Sequence, residues 1–337
     1  MNITFWTTMD CNLNCKYCYN RASNNIKKEY MTADVIYQGI KLITALPQFN
    51  TDEQIYINFH GGEPLMNCDA IELIMDIIEK CIPRTSITYG LTTNGTLSSD
   101  KQLKILNKID NISVSIDGNE KNHNRYRIYT NGCGSFDKVI ETAKKLHKIK
   151  TIRVRTTITP KTLSSMSDIV CFLIEEGFKE IVPVLDMFDK RWKDEDENLI
   201  FLEFRKIKEY LENKNCDDVS VGWVSKSPIT KKGVCDGGVT SFHILPSGDI
   251  YPCSLVAGEK RWLIGKTSEG LYQEKIQMVQ DLNKKNTDSC VGCNFYDFCP
   301  SSRCKLINEK ITGDFYKASA ITCLQSRVML EMMEMIY

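Results

Sequence analysis

The chain has 337 residues, and its 43 Lys+Arg balance 43 Asp+Glu. A formal charge of zero suggests no polyanion-binding surface, so no nucleic-acid partner is expected. No apolar run reaches the roughly 18 residues that cross a bilayer, and no signal-peptide pattern opens the chain. The expectation is a cytoplasmic protein without a membrane partner, and there fifteen cysteines point to metal rather than disulfides.

Strand-like runs fall at 2–8, 54–60, 86–93, 111–117, 151–159 and 179–185. Helical periodicity fills the gaps at 32–46, 69–82, 99–109, 135–149 and 164–177, and a further helix is predicted at 197–212. Thr32 and Ser99 suit N-caps, and Gly177 stands where a helix should stop. Strict alternation predicts a parallel sheet with helices outside. Six strand–helix units are too few for a closed eight-stranded barrel, so the expected α/β fold is a partial (β/α)6 TIM-like barrel. Its site should lie at the carboxyl ends of the strands. A composition shift divides the chain into 1–215, a polar linker over 216–234, and a cysteine-rich segment over 235–337.

Cys11, Cys15 and Cys18 follow the first strand with C-x3-C-x2-C spacing. Zinc would need a fourth ligand, and none appears before His60. An iron–sulfur cube held by three thiolates would keep one iron open for a small molecule; both readings stand on spacing alone. Other loops also sit at strand ends: Gly61, Gly62, Glu63 and Pro64 after the second strand, Asn94 and Gly95 after the third, and Ser115, Asp117 and Arg127 after the fourth. Glycines admit close backbone approach to a ligand, and a carboxylate beside them can take an ammonium group. Singly, each of these stretches is ordinary turn composition.

Together, C11-x3-C15-x2-C18 with Tyr17, GGEP at 61–64, TNG at 93–95 and SIDG at 115–118 resemble the radical S-adenosylmethionine (SAM) enzymes over most of residues 1–185. The resemblance implies that Cys11, Cys15 and Cys18 hold a [4Fe–4S] cluster whose open iron chelates SAM. It implies that Glu63 and neighbouring backbone receive the SAM amino group. Tyr17, Gly61, Gly62, Pro64, Asn94, Ser115 and Arg127 match further cofactor-binding positions. Reductive cleavage of SAM would then give a 5′-deoxyadenosyl radical that abstracts hydrogen from a substrate. An external one-electron donor such as flavodoxin or ferredoxin is implied.

Downstream, Cys235 is followed by Gly248, Cys253, Cys290, Cys293, Cys299, Cys304 and Cys323. FHILPSGDIYPCSL reads as a hairpin with a Pro-Ser-Gly-Asp turn. Structural zinc would suit the cysteine spacing. The arrangement is similar to the SPASM extension of radical SAM peptide-modifying enzymes, except that four residues separate Cys299 from Cys304 where the family has three. That similarity assigns Cys290, Cys293, Cys299 and Cys323 to a fully ligated auxiliary cluster. It assigns Cys235, Cys253 and Cys304 to another with an open iron, making three [4Fe–4S] clusters. Cys68, Cys81, Cys133, Cys171 and Cys216 remain as small buried hydrophobes or inert surface thiols.

A second open iron suits a substrate thiolate, so the expected function is maturation of a ribosomally made peptide by an intramolecular thioether crosslink. Alternatives are formylglycine formation, although Ser254 replaces the Asp that such enzymes carry after the cysteine, and carbon–carbon crosslinking or epimerisation of a peptide. A non-catalytic iron–sulfur or zinc module is the alternative of another class. The first strand is expected to begin at residue 2, so a leader-binding module is expected to be a separate leader-peptide-binding protein or absent. The C-terminal stripe Leu324, Val328, Met332 and Ile336 is expected to pack as a helix face.

Overall fold

A computed structural model describes residues 1–21, 28–225 and 231–334. The chain forms two compact units, each assembled from separated segments. One comprises 1–14, 18–113 and 236–282; the other comprises 15–17, 114–235 and 283–337.

The first unit contains β1 (Asn2–Thr8), α1 (Ala33–Thr44), β2 (Ile55–Gly61), α2 (Cys68–Cys81), β3 (Ile87–Thr93) and α3 (Asp100–Lys108). Its parallel strands carry apolar side chains that end fully buried, among them Ile3, Phe5, Ile55, Ile57, Phe59 and Tyr89. The helices bury one stripe each, as Ile36, Ile40 and Ile43 do in α1. Thr32 caps α1 through a bond from Val35 N, and the Ser99 backbone N donates to Gln102 Oε1 at 2.7 Å in a capping box for α3. β4 (Asn111–Ser115) runs through the boundary between the units.

The second unit continues with α4 (Glu120–Tyr126), α5 (Phe136–His147), β5 (Arg153–Ile158), α6 (Met166–Glu175), β6 (Glu180–Leu185), α7 (Asp196–Asn213) and β7 (Ser220–Val221). β5, β6 and β7 pair in parallel. Gly177 ends the α6 region at φ +94°, a conformation that favours glycine.

Residues 236–282 return to the first unit as β8 (Ser241–Ile244), β9 (Asp249–Tyr251), β10 (Gly265–Lys266), β11 (Gly270–Leu271) and α8 (Gln273–Asp281). β8 and β9 are the predicted hairpin, closed by Gly248 N donating to the Leu245 carbonyl at 2.9 Å. β8 lies parallel beside β1, with Asn2 opposite Ser241 and Phe5 opposite Ile244. The strand order in this unit is therefore β11-β10-β9-β8-β1-β2-β3. The second unit ends with α9 (Pro300–Arg303), α10 (Lys305–Thr312) and α11 (Ala320–Glu334). Leu324, Val328 and Met332 are buried along α11 as their spacing predicts, while Ile336 lies outside the described residues. No helix among the described residues is long and apolar enough to cross a membrane.

Candidate active site and cysteine centres

Three neighbouring strands of the first unit end at one edge, and each delivers a predicted loop there. β1 leads into residues 9–14, β2 ends at Gly61, and β3 ends at Thr93. Gly62 N donates to the Thr8 carbonyl at 2.9 Å and Glu63 N to the Asp10 carbonyl at 2.8 Å. A Cβ on Gly61 would stand 2.0 Å from the Thr8 oxygen, and one on Gly62 would stand 2.0 Å from the Asp10 oxygen. The paired glycines thus serve backbone-to-backbone approach against the stem of the cysteine loop. Pro64 follows at the first position of a short 3-10 turn.

Glu63 is 1% exposed, and burial lifts its carboxyl to about 7. Three donors oppose that shift: Thr93 Oγ1 at 2.8 Å, Asn94 N at 2.7 Å and Leu65 N at 3.2 Å. Asn94 then reaches the cysteine loop, its Nδ2 donating to Asn12 Oδ1 at 2.9 Å and lying 3.7 Å from Cys11 Sγ. Leu13 N adds a second donor to Cys11 Sγ at 3.4 Å. Such donors stabilise a thiolate, the form that binds iron or zinc. Cys11 and Cys18 are half-buried members of this unit.

The intervening residues 15–17 belong to the second unit. Lys16 N donates to the Tyr126 carbonyl at 3.1 Å, and the Tyr17 hydroxyl donates to Asp117 Oδ2. Asp117 also accepts from Arg127 Nε at 2.9 Å and from Thr157 N at 2.9 Å. Arg127 is 8% exposed, with its guanidinium 5.3 Å from the Tyr17 ring centre. Burial opposes that charge, but Asp117, Tyr17 and Cys15 outweigh it and keep Arg127 cationic. His123 is buried and lowered to about 4, with its Nδ1 accepting from Asp117 N at 3.3 Å. Ser115 is half-buried at the end of β4. Sequence reasoning placed Arg127 but not the hub: Asp117 gathers three donors, and only its position after a strand hinted at it.

The second unit also collects the outer cysteines. Burial raises the Cys290 thiol, and Cys299, Cys323 and Cys293 lie close enough to raise it further. Cys323 is raised by burial and by Cys299 and Cys293, against the opposing charge of Arg327. Hydroxyls flank the sulfurs, Ser326 Oγ at 3.0 Å from Cys299 Sγ and Ser289 Oγ at 3.9 Å from Cys290 Sγ. Cys304 is raised by burial and feels Cys235. Cys253 belongs to the first unit, immediately before the 3-10 turn Ser254–Val256. Among the described residues, no three His, Cys, Asp or Glu are arranged around a single metal ion. A polynuclear cluster places its thiolates farther apart than one ion does. Cys68 is buried, Cys81 and Cys133 are exposed, and Cys171 and Cys216 are intermediate.

The family model described as the radical SAM superfamily matches residues 7–169. An uncharacterized protein of Methanocaldococcus jannaschii is 31% identical over 260 residues, covering 74% of this chain and 84% of that protein. A cysteine-type anaerobic sulfatase-maturating enzyme of Clostridium novyi is 26% identical over 324 residues, covering 87% and 84%. The solved structure of native anSMEcpe with bound AdoMet and Kp18Cys peptide superposes with a TM-score of 0.79 at 21% identity, covering 98% of this chain and 96% of that one. It shares this α/β, largely parallel fold. The cysteine loop, the strand-end loops and these relatives agree: the chain belongs to the radical SAM superfamily.

Proposed function

We propose that this enzyme is a peptide maturase that installs an intramolecular thioether crosslink in a ribosomally made peptide. In this reading, 1–215 is a partial (β/α)6 barrel, 216–234 a linker and 235–337 a SPASM segment carrying two auxiliary [4Fe–4S] clusters. The observation that carries it is the grouping of thiols, with Cys290, Cys293, Cys299 and Cys323 acting on one another while Cys304 acts with Cys235. A four-thiol set closes its own cluster. Cys235, Cys253 and Cys304 supply three thiolates, and no cysteine between 235 and 253 supplies a fourth. The remaining position accepts a peptide thiolate.

SAM and its cluster, when bound at Cys11, Cys15 and Cys18, supply a 5′-deoxyadenosyl radical for hydrogen abstraction. The chain's own residues position them. Glu63 stands ready to neutralise an ammonium group, with Gly61, Gly62, Pro64 and Asn94 shaping the backbone around it. Arg127, kept cationic by Asp117, answers a carboxylate, and Ser115 and Tyr17 are further polar groups of its own unit. Electrons come from a flavodoxin- or ferredoxin-like donor in the cytoplasm.

The test is anaerobic reconstitution followed by mass spectrometry of a co-expressed, cysteine-containing precursor. A crosslink removes two hydrogens per link and keeps the sulfur. Formylglycine formation, favoured by the likeness to the Clostridium novyi enzyme, removes the sulfur. Against that second reading, Ser254 follows Cys253, and nearby Asp236 accepts from Thr240 Oγ1 at 2.6 Å within its own turn. SAM cleavage with an unaltered cysteine-containing peptide would overturn the thioether reading. Absence of 5′-deoxyadenosine with zinc bound would indicate a structural module instead.

A further inference from the structure

Lys305 is a buried cation that the site described above does not use. It follows Cys304, opens α10 and is 4% exposed. Its ammonium donates to Thr287 Oγ1 at 2.5 Å and to the Ser302 carbonyl at 2.6 Å. These acceptors stand in different cysteine turns. The Thr287 carbonyl receives Cys290 N at 2.9 Å, and Ser302 Oγ donates to the Cys299 carbonyl at 2.8 Å. Thr287 Oγ1 itself donates to the Ser302 carbonyl at 3.3 Å, closing the triangle. One ammonium thereby fastens the turns that present Cys290, Cys299 and Cys304.

A buried ammonium among neutral oxygens is costly unless an anion lies near it. The anionic candidates acting on Lys305 are Cys290, Cys304 and Asp288, and Asp288 already pairs with Lys285 at 2.9 Å. Beside it a cavity of about 160 Å³ is lined by Lys232, Lys285, Arg303 and Lys305 against one carboxylate, Asp297. That carboxylate pairs with Lys231 at 3.2 Å. Lysines and an arginine thus outnumber carboxylates along this cavity.

We propose that Lys305 is a positioning residue and fixed counter-charge for the auxiliary iron–sulfur clusters: it holds the Cys290, Cys299 and Cys304 turns in register and keeps the clusters easier to reduce than their thiolates alone would allow. The inference rests on the cluster assignment made above. A positive charge nearby favours the reduced, more negative cluster, so its removal lowers the reduction potential.

The test uses the reconstituted full chain carrying C11A/C15A/C18A, so that only auxiliary clusters contribute to the signal. EPR-monitored redox titration and iron counts are compared for Lys305, K305M, K305R and K305Q. K305M is expected to shift the one-electron reduction equilibrium at least tenfold toward the oxidised form, about 59 mV. K305R should return it to the starting value. K305Q keeps a donor for Thr287 and Ser302 without the charge, so it decides the matter if K305M loses iron. An unchanged potential in iron-replete K305M, or in K305Q, overturns the inference alone. Absence of auxiliary iron when Lys305 is intact overturns the cluster assignment and this inference with it.

Discussion

The Tyr17 hydroxyl, inside the cysteine motif, donates to the carboxylate of Asp117, 100 residues later in the chain. The same carboxylate holds Arg127 and the Thr157 amide, and both partners of the ion pair are buried. D117A leaves a desolvated guanidinium unpaired and is expected to cost about 3–5 kcal/mol in urea unfolding. Y17F removes one bond to a charged acceptor and should cost about 2 kcal/mol. A D117A protein as stable as the parent would show that this carboxylate is not the hub.

Glu63 gives the chain a pH-dependent stability. Its folded carboxyl titrates at about 7 because burial disfavours the charge, above the ordinary 4.5. The protonated form is therefore favoured by folding. Its contribution is complete below about 4.5 and is lost as pH rises through 7, a change of about 3 kcal/mol. E63Q should remove that dependence, and the difference between the two proteins' urea midpoints across this window measures it. A difference that does not vary with pH would exclude it.

Gly62 tolerates no side chain, since a Cβ would meet the Asp10 carbonyl at 2.0 Å. G62A must displace the stem of the cysteine loop, at about 3 kcal/mol and with loss of iron from the N-terminal site. Gly132 is the control. Its φ of +86° is left-handed, but no atom lies within 4 Å of an added Cβ, so G132A should cost only about 1 kcal/mol. Thermal unfolding and iron counts compare the two.

C299A tests the outer thiol set separately from the inner one. The Cys299 sulfur is buried beside Ser326 Oγ and acts on both Cys290 and Cys323. Its removal should lower bound iron by about four per chain, the content of one cubane cluster, while SAM cleavage at the N-terminal cluster persists. Iron unchanged in C299A would remove this residue from the ligand set.

Much of the strand–helix alternation was legible because buried parallel strands and amphipathic helices carry strong periodicities. β1 at Asn2–Thr8 and α7 at Asp196–Asn213 fall within a residue of their predicted limits. The helix Glu120–Tyr126 was missed because EKNHNRY has no apolar period, and two-residue strands such as Ser220–Val221 have none to show. The cysteine spacing and strand-end loops pointed to the site's chemistry. Asp117 as a hub and Lys305 as a staple were invisible, because each depends on partners brought together only by folding. The two glycines at 61 and 62 were read for ligand approach, whereas the structure also packs them directly on the residues that lead into Cys11.

β8 completes β1 across some 239 residues of chain, as the pairing of Asn2 with Ser241 shows. During synthesis, then, the outer edge of the first strand stays bare until most of the polypeptide has left the ribosome. It bears Phe5 and Trp6, two of the largest side chains the finished unit buries completely. Sequence-distant pairing of this kind folds slowly, and an unpaired apolar edge invites association with other chains. The pairing of β8 with β1 also brings His243 to Trp6, whose indole nitrogen donates to His243 Nδ1 at 3.2 Å. Nascent chains truncated before residue 241 should be the species that aggregate or require chaperone cover.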